Sequence, residues 1–163
     1  MRQPHHAVPD SAEPRILHLP TAGVALRGLL DEAVSAARSR HADAEIVEVA
    51  IDAAPGTRVP GDAAALRGLV DRLVSDALVA ATRSSGDGPP LHEVVVTVVE
   101  TADAIEVEIA DSGSCTPADD RCPAAMRELA TRCGCRLHVA ACPEGGMAVT
   151  VRLPRRDVRR QAA

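Results

Sequence analysis

The side chains best suited to chemistry fall into three small groups. Asp76 follows Arg72 by four positions, which on a helix makes an acid–base surface pair worth a few tenths of a kcal/mol. Asp111-Ser112-Gly113 ends an apolar run, where an aspartate can fold its side chain onto the following backbone as an Asx turn. The five cysteines are Cys115, Cys122, Cys133, Cys135 and Cys142. With His138 they offer soft ligands, but no pair has the C-x-x-C spacing of a zinc knuckle, and free cysteines otherwise behave as compact hydrophobes.

The elements that must position these residues can be read from hydrophobic period. Leu26, Leu29, Leu30, Ala33, Val34 and Ala37 recur at helical spacing within a helix expected from Val24 to about Arg40. Ile46 to Ile51 reads as a strand. The clearest stripe is Leu66, Leu69, Val70, Leu73, Val74, Ala77, Leu78 and Ala81, with Asp62 as its N-cap and a Gly-Pro-rich stretch, 86–90, after its end. Two alternating runs, 93–100 and 105–110, predict an antiparallel hairpin. A polar loop, 112–122, leads to a third helix with Pro123 at its first position, Met126, Leu129, Ala130 and Cys133 on its buried face, and Gly134 as its stop. Strands over 136–141 and 147–153 flank the Gly145-Gly146 turn, and Ile16 to Leu19 suggests an edge strand. The order helix, strand, helix, hairpin, helix, hairpin predicts an α/β chain, specifically an α+β two-layer sandwich. Its sheet is expected to be mixed and mostly antiparallel, with about three helices on one face.

Composition narrows the setting. A length of 163 residues suits one domain, expected over 15–154, with a disordered segment at 1–14 and a basic tail at 155–163. The net charge of −5 argues against a nucleic-acid-binding face. No apolar run reaches the roughly 18–20 residues of a membrane span, and the Pro- and His-rich start has no secretory h-region, so a cytoplasmic protein is expected. An odd cysteine count in that compartment argues against a disulfide framework. Phe, Tyr, Trp, Lys and Asn are absent, so the core must be built from Leu, Val, Ile, Ala and Met.

Four strings, in order, resemble the ATP-binding domain of sensor histidine kinases, a branch of the superfamily shared with gyrase, heat-shock chaperone and mismatch-repair ATPases. VALRGLLDEAVSAARSRHADAEIVEVAID is similar to the entry segment of that domain. GDAAALRGLVDRLVSDALVAAT resembles its N box, IEVEIADSGS its first glycine box (DxGxG), and ELATRCGCRLHVAACPEGGMAVTVRLP its closing segment. The resemblance spans roughly 16–154 and implies a Bergerat-like sandwich that binds ATP with Mg²⁺. It implies that Asp76 stands where the family's Asn reaches the ion, and that Asp111 stands where an aspartate accepts a hydrogen bond from the adenine amino group. Gly113 matches the first glycine of the box, where backbone comes close to the base, and Gly146 the last glycine.

The same resemblance marks departures. Cys115 replaces the second glycine of the box. The lid is short, and Cys122-Pro123-Ala124-Ala125-Met126 occupies the place of a glycine-bearing phosphate cradle, with Pro123 lacking an N–H to donate. Met147 stands where Thr is usual. No His-(Glu/Asp)-x-x-x-Pro phosphoacceptor string includes His5, His6, His18, His41, His92 or His138, so autophosphorylation within the chain is not expected. Three functions follow: a stand-alone kinase acting on a separate histidine partner, a non-catalytic pseudo-kinase module, and an anti-sigma-type serine kinase. Each implies a protein partner, whether a kinase dimerisation bundle, a response regulator or an anti-sigma-type target. Neither nucleic acid nor a membrane is expected among its partners.

Overall fold

A computed structural model describes residues 23–83, 91–114, 124–143 and 145–155. The expected edge strand at 16–19, the helix start at Pro123, and Cys115 and Cys122 lie outside these residues. The elements run β1 (Val24–Ala25), α1 (Leu26–Arg40), a 3-10 helix (Ala42–Ile46), β2 (Glu48–Asp52), β3 (Arg58–Val59) and α2 (Ala63–Ala81). They continue with β4 (Glu93–Glu100), β5 (Ala104–Asp111), α3 (Ala124–Cys133), β6 (Arg136–Ala141) and β7 (Met147–Pro154).

Five strands form one sheet in the order β2-β4-β5-β7-β6. Only β2 and β4 are parallel, with Glu48 opposite Glu93, because α2 makes the crossover between them. The other pairings are antiparallel, from Ile105 opposite Glu100 in the β4–β5 hairpin to Leu137 opposite Val151. This is the mixed, mostly antiparallel two-layer α+β sandwich expected from the sequence.

Alternation decides which face is covered. Val94, Val96, Ile105, Val107, Ile109, Val151 and Leu153 are buried, while Thr97, Glu106, Glu108 and Arg152 lie on the opposite face. The helices bring Leu26, Leu30, Leu69, Leu78 and Met126 into the same core. Each such buried Leu or Ile contributes about 1.5–3 kcal/mol. Aliphatic side chains fill the core without a single aromatic ring.

α2 is fixed at both ends. Asp62 caps it as expected, its Oδ1 accepting from Ala64 N at 2.9 Å and Ala65 N at 3.1 Å. Arg132 of α3 reaches the other oxygen at 3.3 Å. At the far end Thr82 Oγ1 donates to Val79 O, and His92 Nδ1 donates to Ala81 O at 2.7 Å. α3 stops at Gly134 in a Schellman motif: Cys135 N donates to Ala130 O and Gly134 N to Thr131 O, both at 3.0 Å.

Two expectations need correction. Val24 and Ala25 do not begin α1 but pair with Val59 and Arg58 in a separate two-stranded sheet, leaving Leu26 N to donate to Thr57 O. Ile46 closes the 3-10 helix, 60% exposed, and the strand begins two residues later. Val47 takes the buried place beside it.

Candidate functional site

The last residue of β5 is Asp111, 6% exposed. Strand register holds its backbone between Val94 of β4 and Met147 of β7. Its Oδ1 accepts from Gly113 N at 3.0 Å, which is the Asx turn allowed by the sequence. A pair of serines fastens the turn from outside. Ser112 Oγ donates to Leu91 O at 2.6 Å and accepts from Glu93 N at 2.9 Å, tying the turn to the start of β4. Ser114 Oγ donates to Arg83 O at 3.0 Å, just beyond α2.

The two glycines of the site are required by protein packing alone. A Cβ on Gly113 would lie 2.4 Å from the carbonyl oxygen of Ala80, so the turn rests directly on the backbone of α2. A Cβ on Gly146 would lie 1.7 Å from the carbonyl oxygen of Asp111, and its φ of +85° is a conformation that suits glycine. Asp111, Gly113 and Gly146 thus meet at one end of the sheet, over the C-terminal half of α2.

Asp76 stands one helical turn before Ala80, on the same side of α2. Its Oδ2 accepts from Arg72 Nε at 2.8 Å, so the surface pair is formed. Both side chains are substantially exposed, and such a pair contributes little stability. A carboxylate in this state can still exchange a guanidinium for a hydrated cation.

Together these residues make a buried carboxylate at the end of β5, closed in by the backbone of residues 113 and 146. Asp76, with Arg72 attached, lies one helical turn away on α2. The segment 115–123 lies outside the described residues. Among the described residues no group of three or more His, Cys, Asp or Glu side chains is placed to hold a metal ion. No described helix is long and apolar enough to cross a membrane.

A separate cavity of about 550 Å³ lies on the flank of α2 facing the 3-10 helix, lined by His41, Asp43, Ile46, Val79, Thr82 and Arg83. None of the four sequence-derived site residues borders it. His41 Nε2 shares a hydrogen bond of 3.0 Å with Ser75 Oγ, joining the end of α1 to α2.

Sequence reasoning passed over Ala80, the two serines and His92. The serines were visible on either side of Gly113, but the backbones they would fasten are 19 to 31 positions away. Ala80 carries no chemical signal; only its carbonyl takes part.

The architecture is an α+β sandwich whose fold matches the ATP-binding domains of histidine kinases. No family model and no curated protein matches the chain in sequence. Solved structures do match in fold. The ATP-binding domain of PrrB from Mycobacterium tuberculosis aligns with a TM-score of 0.64 at 23% identity, covering 83% of this chain and 98% of that one. The mycobacterial sensor histidine kinase MprB gives 0.58 at 22% identity, covering 82% and 97%. The catalytic domain of histidine kinase ThkA gives 0.64 at 14% identity, covering 81% and 93%.

Proposed function

We propose that this chain is an ATP-binding domain of the histidine kinase type that binds nucleotide weakly and acts in cytoplasmic, two-component-like signalling through a protein partner. The observation that carries the reading is the convergence of Asp111, Gly113 and Gly146 at one end of the sheet, with Gly113 seated on the backbone of α2. In this reading Asp111 accepts from the adenine amino group, and the two glycines let the backbone close in around it. Asp76 is the residue that would meet Mg²⁺, which when bound neutralises phosphate charge. The partner is a kinase dimerisation bundle, a response regulator or an anti-sigma-type target.

Weak binding follows from the sequence of the phosphate side. Each lost phosphate contact to a charged group costs about 1.5–3 kcal/mol, and about 1.4 kcal/mol is tenfold in affinity. Two such losses move a micromolar site toward millimolar.

The test is calorimetric titration of the whole chain with ATP, alongside Asp111→Asn. Asn can keep the Asx turn through its amide oxygen but turns an N–H₂ group toward the adenine amino donor. Binding by the wild type and its loss in a variant with an unchanged melting curve supports the reading. Equal binding by both removes Asp111 from the base site, and no binding by the wild type at several millimolar ATP removes the function.

The Arg72–Asp76 pair favours a second reading, a non-catalytic module without a metal. Tighter ATP binding in Mg²⁺, erased by Asp76→Ala, argues for the metal role. Affinity indifferent to Mg²⁺ argues for the module.

A further inference from the structure

The C-terminus of α3 carries two thiols on either side of one glycine. Cys133, Gly134 and Cys135 form the Schellman turn, and Gly134 has a φ of +65°, with no atom within 4 Å of where its Cβ would stand. That left-handed residue reverses the chain between the two thiols, which are hydrogen-bonding neighbours across it. Both cysteines are free and partly exposed. Cys135 Sγ donates to Ala130 O at 3.4 Å, a weak bond that is easily given up.

We propose that Cys133 and Cys135 are a redox-active pair, closing to an intramolecular disulfide by exchange with a low-molecular-weight disulfide. The thiolate of one cysteine attacks a sulfur of the small disulfide and expels one thiolate, leaving a mixed disulfide. The second cysteine attacks the protein sulfur of that bond and expels the other. The protein loses two hydrogens as two electrons pass to the small disulfide, which leaves as two thiols. A ring closed over a single intervening residue is strained, so it opens again readily with excess thiol.

The surroundings set the rate. Burial raises the Cys133 thiol above its ordinary range, with Asp62 adding to the rise and Arg132 opposing it. Burial pushes Cys135 up to about 12, helped by Cys133. Only the thiolate reacts, so exchange is slow at neutral pH and speeds about tenfold per pH unit below the thiol pKa. The pair also sits where its state matters. Arg132, next to Cys133, holds the N-cap Asp62 of α2, and Leu129 lies over Gly68 of the same helix. A closed ring fixes the last turn of α3 and, through it, the seam between α2 and α3. The inference does not depend on nucleotide binding.

The experiment treats the folded full chain with oxidised glutathione at mildly alkaline pH, alkylates remaining thiols and digests with trypsin. Cleavage after Arg132 and Arg136 releases the tetrapeptide 133–136 with both sulfurs in it. The expected product is that peptide, unalkylated and two hydrogens lighter than its dithiol, formed about tenfold faster one pH unit higher and reversed by excess thiol. Cys133→Ser and Cys135→Ser should each instead retain a glutathione on the remaining cysteine. Recovery of the wild-type peptide with both cysteines alkylated overturns the proposal. So does a persistent mixed disulfide, or a bond to Cys115, Cys122 or Cys142.

Discussion

Two glycines with positive φ show how differently single residues are constrained. Gly134 turns through +65° into open space, whereas Gly146 turns through +85° with the Asp111 carbonyl where a Cβ would go. Gly134→Ala should therefore cost about 1 kcal/mol, the ordinary penalty for a left-handed alanine. Gly146→Ala adds overpacking against backbone and should cost about 2–5 kcal/mol. Urea midpoints of the two variants, measured side by side, check the ordering; equal losses would remove the contact with Asp111 as the cause. By contrast, Arg72→Ala should change stability by no more than about 0.5 kcal/mol, since the pair it breaks is exposed. Asp111, Gly113 and Gly146 stood out in the sequence as members of short strings, and the Asx turn of Asp111 was readable there. The packing that requires the glycines was not. Gly113 is set by Ala80, more than thirty positions earlier, and only the folded chain brings that carbonyl beneath the turn.

Among elements, α2 was the most legible because its apolar stripe is unbroken and its cap is a good one. Asp62 makes that cap sensitive to acid. The backbone donors of Ala65 and Ala64 hold its carboxyl below the usual carboxylate range, with Arg132 helping. A depressed folded-state pKa gives stability that is fully present above the unfolded pKa. It is lost as pH falls through the folded value, so the effect appears below about pH 4. Asp62→Ala should lower the melting temperature at neutral pH and flatten its dependence on acid, and Asp62→Asn should restore much of the first effect alone. In α1 the interior Gly28 faces open space. Gly28→Ala should stabilise by about 0.5–1 kcal/mol through helix propensity, read as a rise in the urea midpoint. The sequence was less readable where elements are short. β1 and β3 have two residues each, too few to show a period, and their pairing is purely tertiary. Ile46 looked like strand because it is β-branched and apolar, yet 3-10 geometry spends it on the surface.

For the whole molecule, three features bear on catalysis under the proposed reading: no phosphoacceptor string, a short lid and no glycine before Met126. Phosphoryl transfer depends almost entirely on positioning and charge stabilisation at the γ-phosphate. Affinity shared by ground and transition states adds nothing to the chemical step. The chain alone is expected to take up no label from radioactive ATP; rapid self-labelling would overturn this, and labelling of an added His-bearing helical partner would identify a stand-alone kinase. The aromatic-free core gives this protein a practical property as well. With no Trp, Tyr or Phe, the folded chain has almost no near-ultraviolet chromophore of its own. In equilibrium dialysis against ATP, the excess near-ultraviolet absorbance on the protein side is that of bound nucleotide alone, so the molecule is its own blank for the ligand proposed for it.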